Sequence, residues 1–95
     1  MQFRLAPQTD PLTAIKVTVR LFAQYAELAG TETLTIELPP GANVGDAVAA
    51  VRRQIKDGQR LPTRPLAAVN LAHVLPDHRL ADGDQVALLP PLAGG

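Results

Sequence analysis

The residues most able to do chemistry are the last two, Gly94-Gly95. Glycine has no Cβ, so a terminal glycine pair can pass a narrow channel and leave its carboxylate open to a nucleophile. A carboxylate is a poor electrophile, so such an end must be activated before a nucleophile can be joined to it. At average glycine usage the pair arises by chance in roughly one chain in two hundred. A cloning remnant or a cut from a longer protein is the better competing explanation. Upstream, Pro90 and Pro91 fix φ and remove two backbone donors, so the chain should leave its last strand extended and stiffened. Beyond them Leu92, Ala93, Gly94 and Gly95 can reach at most roughly 14 Å, which suits insertion into a pocket of another protein.

Little else in the chain competes for a reactive role. Cysteine is absent, which excludes disulfides, thiolate metal sites and a side-chain thioester or persulfide. If this chain handles sulfur, its own side chains do not carry it. His73 and His78 lack the paired carboxylates or thiolates that would complete a metal site. There is no Gly-rich phosphate loop and no acid–base constellation. Nine basic and nine acidic residues cancel, so net charge does not draw the chain to nucleic acid or to an anionic membrane. Arg52, Arg53, Lys56, Arg60 and Arg64 cluster without interleaved aromatics and read as the solvated face and end of a helix. No apolar run reaches the length of a membrane span, and residues 1–13 lack the continuous apolar stretch of a signal peptide. A cytoplasmic protein is the default expectation.

The elements that would position the tail are legible from periodicity. Ile15, Val17, Val19 and Leu21 alternate with Lys16, Thr18 and Arg20, as in a strand with one buried face. Phe22 falls on the polar side of that pattern. AQYAELAG predicts a short helical turn ended by Gly30 in the left-handed conformation. Leu34, Ile36 and Leu38 alternate in a second strand, stopped by Pro39-Pro40-Gly41. Asn43 and Asp46 have the spacing of a capping box. The helix they begin carries Val44, Ala47, Val48, Val51 and Ile55 on one stripe and is predicted to end at Gly58. LAAVNLAHVL reads as two short extended pieces, Asp82-Gly83-Asp84 as a turn, and QVALLPP as the last strand with Val86 and Leu88 on one face and Ala87 and Leu89 on the other.

Strand, strand, helix, short strands and a final strand predict an α+β roll of the ubiquitin-like β-grasp order. It has a mixed sheet, one main helix on a single face and an extended C-terminal tail. The domain should span residues 14–91, between a loose arm at residues 1–13 and a flexible reactive tail at residues 92–95. With the first and last strands parallel and adjacent, Phe22 and Leu89 would meet on the open face beside the tail root. Either they are two scattered surface apolars or they form a partner patch.

From residue 15 to residue 95 the chain resembles the small, sulfur-carrier subunits of molybdopterin synthase. The resemblance is carried by IKVTVRLFAQYAELAG, the AVN step at Ala68, Val69 and Asn70, LADGDQVALLPP and the terminal GG. It implies that an activating enzyme of the ubiquitin-E1-like type adenylates the Gly95 carboxylate with ATP. A sulfur donor system then converts it to a thiocarboxylate. It implies insertion of the tail into the large subunit, a heterotetramer, and transfer of the sulfur to a cyclic pyranopterin precursor. No permanently bound cofactor is implied. The implied partner-binding residues are Phe22, His73, Leu88, Leu89, Pro90, Pro91, Leu92 and Ala93. Members of that family often carry aromatics where this chain has Leu88 and Leu89, and an aliphatic residue where it has His73. Competing readings are a β-grasp carrier for thiamine thiazole, a ubiquitin-like protein modifier and a plain interaction module.

Overall fold

The computed structural model describes residues 14–91. The expectations for residues 1–13 and for residues 92–95, Gly94 and Gly95 included, lie outside the described residues. In chain order the elements are β1 (Ile15–Leu21), α1 (Gln24–Ala29), β2 (Thr33–Leu38), α2 (Val44–Gln54), a 3₁₀ turn (Gly58–Arg60), β3 (Leu66–Val69), β4 (Ala72–Val74) and β5 (Gln85–Leu89). The five strands form one sheet in the order β2-β1-β5-β3-β4. β1 is antiparallel to β2 and parallel to β5, and β3 is antiparallel to both β5 and β4. This is the expected mixed β-grasp sheet.

The alternation in β1 divides the sheet as predicted. Ile15, Val17, Val19 and Leu21 are buried while Lys16 and Arg20 are exposed. Ile36, Leu38, Val86 and Leu88 join them from the neighbouring strands, and Val44, Ala47, Val48, Val51 and Ile55 close the core from α2 and its end. Val19, Val51, Leu61 and Val86 are fully enclosed. At about 1.5–3 kcal/mol for each large aliphatic side chain buried, this one-sided core is the main source of stability. Gly30 ends α1 at φ 74°, and its N–H bonds to the Ala26 carbonyl. The capping box of α2 is complete. Asn43 Oδ1 accepts from the Asp46 N–H at 2.8 Å and Asp46 Oδ2 from the Asn43 N–H at 2.9 Å.

Gly58 corrects the expectation that it ends α2. The helix stops at Ile55, whose backbone is already extended. Gly58 instead starts the 3₁₀ turn, buried so close to the last turn of α2 that a Cβ would fall on the Arg52 carbonyl. Arg52 itself reaches over this turn, its Nε donating to the Leu61 carbonyl at 2.8 Å. One member of the basic cluster is thus a structural brace rather than a solvated charge. Gly58→Ala is expected to lower stability by about 2–3 kcal/mol through overpacking against backbone that cannot rotate away. Denaturant unfolding beside Gly41→Ala checks this, since an added Cβ at Gly41 meets nothing within 4 Å and leaves only backbone strain at φ 87°.

Candidate functional site

The end of β5 is fixed by what holds its beginning. Asp84 accepts from the Ala81 N–H at 2.8 Å and from Asn70 Nδ2 at 3.0 Å, and Asn70 Oδ1 accepts from the Gln85 N–H at 3.0 Å. The Asn70 N–H donates to the Gln85 carbonyl, and the Gly83 N–H to the Lys16 carbonyl. Asp82 Oδ1 accepts from the Lys16 N–H at 2.8 Å. Gly83, at φ 88°, permits the turn that brings both aspartates inward. The AVN and DGD motifs are therefore two halves of one latch that locks β5 against β1 and the β3–β4 hairpin. Asn70 and Leu71 form that hairpin's turn, both at positive φ, and Leu71 is fully exposed.

From this latch the register runs forward. Leu21 pairs with Leu88 across the parallel β1–β5 ladder, and Leu66 with Leu89 across the antiparallel β3–β5 ladder. Phe22 and Leu89, one residue further on, emerge together on the face opposite α2, where Leu66 joins them. Phe22 is 37% and Leu66 54% exposed. Phe22 is set at the strand end by a sharp reversal. Its carbonyl accepts from the Tyr25 N–H at 3.0 Å, while Ala23 takes φ 51°, ψ −126°, a region that favours glycine. Tyr25 anchors the turn in the core, and burial pushes its phenol pKa up from the usual value.

A groove of about 580 Å³ opens beside this row, lined by Ala23, Gln24, Leu66, His73, Leu89, Pro90 and Pro91. The structure thus brings together four of the residues singled out from sequence, Leu89, Pro90, Pro91 and His73. Phe22 stands on the adjoining strand end outside the groove lining. Leu88 does not belong to this surface. It is 1% exposed and part of the core, so its side chain cannot meet a partner, because period-two alternation puts it opposite Leu89. Leu92, Ala93, Gly94 and Gly95 are outside the described residues.

Sequence reasoning missed Leu66, which follows Pro65 in a short run without clear alternation; only its pairing with Leu89 identifies its face. It also missed Leu75, 70% exposed, which lines a second groove with Leu66, His73, Asp77 and His78. Among the described residues no cluster of three or more His, Asp or Glu is placed to hold a metal ion. None of their helices is long and apolar enough to cross a membrane.

Fold and site together define a ubiquitin-like β-grasp domain whose last strand runs out beside an apolar patch. The fold likeness extends to the ubiquitin of Caldiarchaeum subterraneum, with TM-score 0.59 at 20% identity, covering 86% of this chain and 99% of that one. The chain belongs to the ThiS family, whose model matches residues 19–95. It is 34% identical over 83 residues to the molybdopterin synthase sulfur carrier subunit of Chlamydomonas reinhardtii, covering 85% of this chain and 100% of that protein. Identity to the subunit of the same name in Escherichia coli K12 is 36% over 85 residues, covering 83% and 99%. The small archaeal modifier protein 1 of Haloferax volcanii is 32% identical over 84 residues, covering 80% and 97%. Among solved structures, molybdopterin converting factor subunit 1 of Pyrococcus furiosus superposes with TM-score 0.71 at 31% identity, covering 82% and 99%. The protein–protein complex of subunits 1 and 2 of molybdopterin-converting factor from Helicobacter pylori matches with TM-score 0.56 at 28% identity, covering 85% and 100%.

The opposite sides taken by Leu88 and Leu89 give a direct check. Leu88→Ala is expected to cost about 2–4 kcal/mol of unfolding free energy, as a cavity in a packed core does. Leu89→Ala should cost less, about 1 kcal/mol, as expected of a partly buried position on the open face of the sheet. Equal losses would show that the register is shifted.

Proposed function

We propose that this chain is a sulfur carrier for molybdopterin synthase, with the Gly95 carboxylate as the group that carries the sulfur. The observation that carries the reading is the parallel β1–β5 pair, which ends Leu89, Pro90 and Pro91 beside Phe22 and Leu66 at the root of the Gly-Gly tail. Carriers of that name match nearly their whole length here. In the proposed cycle an E1-like enzyme joins the carboxylate to AMP from ATP, releasing pyrophosphate. Sulfide-level sulfur from a donor system displaces AMP and leaves a thiocarboxylate. The tail then enters the large subunit, passes its sulfur to the pyranopterin precursor and returns as a carboxylate with an oxygen from water. Two sulfurs make one dithiolene, so spent carriers must leave for loaded ones.

The division of labour follows from energetics. Ordering four tail residues costs on the order of 4–8 kcal/mol of backbone freedom. A rigid apolar row at the tail root can offset that, because its side chains are already fixed by the sheet. The match to a small archaeal modifier protein supports a second reading, in which a lysine amine rather than sulfur attacks the activated Gly95. Both readings need the same activation and differ in the nucleophile.

Incubation with ATP, the activating enzyme and a sulfur donor, followed by intact mass measurement, separates them. The carrier reading expects a mass gain equal to exchange of one oxygen for sulfur. An unmodified terminus, under conditions that load an authentic carrier, would end that reading. Adducts on many protein lysines would instead establish the modifier. Deletion of Gly95 is expected to abolish sulfur transfer and leave the melting temperature nearly unchanged; a large fall in melting would make the tail structural. Phe22→Arg should weaken binding to the large subunit or the activating enzyme by about tenfold or more, as central apolar anchors do, at a stability cost below about 1 kcal/mol. Unchanged affinity for both partners would remove Phe22 from the interface.

A further inference from the structure

One row inward from Phe22, Leu89 and Leu66, the register lines up Thr33, Arg20, Ala87, Ala68 and His73 across all five strands. At either end of its central stretch stand a permanent cation, Arg20, and an N–H donor, His73. Their backbone positions are separated by three strand spacings, or about 14 Å. Between them Ala87 and Ala68 form a low floor. Ala68 is 8% exposed and lies outside the core cluster beneath the sheet.

The charges of this face do not cancel locally. Lys16 has Glu37 directly across the β1–β2 ladder, whereas Arg20 has Thr33 and Ala87, and His73 has Ala68. Asp82 and Asp84 are engaged in the latch. Asp77 shares the outer groove with two imidazoles, His73 and His78. The Arg20 guanidinium lies 5.5 Å from the Phe22 ring centroid. That places it over the aromatic face within cation–π range, pre-positioned beside the apolar row.

We infer that Arg20 and His73 are specificity-determining residues that read an acidic protein surface on the subunit that receives the tail. The inference rests on the carrier reading above and adds the charge of the surface recognised. Continuity with the tail root places a tail-receiving partner over this row, and the solved complex of subunits 1 and 2 of a relative selects the large subunit as the occupant. Arg20 sits against the Phe22 ring and His73 lines the groove on the far side of the alanines, so the two groups face separate points of a broad surface. The face offers Phe22 as an aromatic but no series of rings on which the bases of a nucleic acid could stack. A protein surface that brings carboxylates to both positions, with a low apolar ridge between them over Ala87 and Ala68, fits this geometry.

The test is calorimetric titration of the large synthase subunit encoded in the same genome with wild-type chain, Arg20→Glu, Arg20→Lys and His73→Leu, at about 50 mM and about 500 mM salt, since screening separates charge from packing. At low salt Arg20→Glu is expected to weaken binding at least about tenfold, with Arg20→Lys within about threefold of wild type and most of the difference lost at high salt. His73→Leu should weaken binding about threefold or more, with far-UV spectra and melting unchanged in every variant. Wild-type affinity in both Arg20→Glu and His73→Leu would overturn this inference and leave the carrier reading standing. Failure of the wild-type chain to bind would overturn both.

Discussion

The parallel pairing of β1 with β5 is the constraint on which the rest of the molecule depends. Two parallel strands cannot be joined by a hairpin, so the chain between them must cross over the sheet. Here that crossover carries α2, which buries its Val44, Ala47, Val48 and Val51 stripe, and then β3 and β4, which extend the sheet beyond β5. Val19 and Val86, partners at the centre of the ladder, are fully enclosed. Because the two strands run the same way, they also end together. The turn after Phe22 and the diproline after Leu89 thereby become neighbours, although they are far apart in sequence.

The motifs most suggestive of a family turn out to hold the start of the last strand. Asn70, Asp82, Gly83 and Asp84 set the start of β5, and through it the register of the whole strand. A slip of one residue would exchange Leu88 with Leu89, sending an aliphatic side chain out of the core and the tail root to the wrong face. The latch thus links sequence to function through geometry. It decides which side chains stand beside Pro90 and Pro91 without contributing one itself.

Local rules carried much of the fold in the sequence. Alternation identified β1 and β2, the Asn43–Asp46 spacing located the start of α2, and Gly30 ended α1, because each is fixed by neighbours within a few residues. Non-local facts were hidden. Gly58 read as a helix stop since glycine often is one, yet it is held by its closeness to the Arg52 backbone, a contact made by the fold of the following turn. Leu88 was credited to the surface by resemblance, although its own alternation with Leu89 assigned it to the core. Leu66, and the row joining Arg20 to His73, require the pairing of four strands, which no window along the chain contains.

A carrier that keeps its reactive group on a tail must place recognition elsewhere, since a Gly-Gly end offers little for a partner to distinguish. In the proposed reading apolar contacts at the tail root supply affinity, but a hydrophobic surface accepts many shapes of similar size. Charge discriminates more sharply, because a mismatched pair leaves a desolvated ion without a counterpart. The sheet provides both in adjacent rows: Phe22, Leu89 and Leu66 beside the tail, then Arg20 and His73 astride two alanines. The resemblance leads one to expect an aliphatic residue at His73, so the imidazole replaces a contact that many surfaces could make with a donor that needs an acceptor. Since the β1–β5, β3–β5 and β3–β4 ladders fix the spacing of the two backbone positions, a partner in the proposed interface must match their placement as well as their charge.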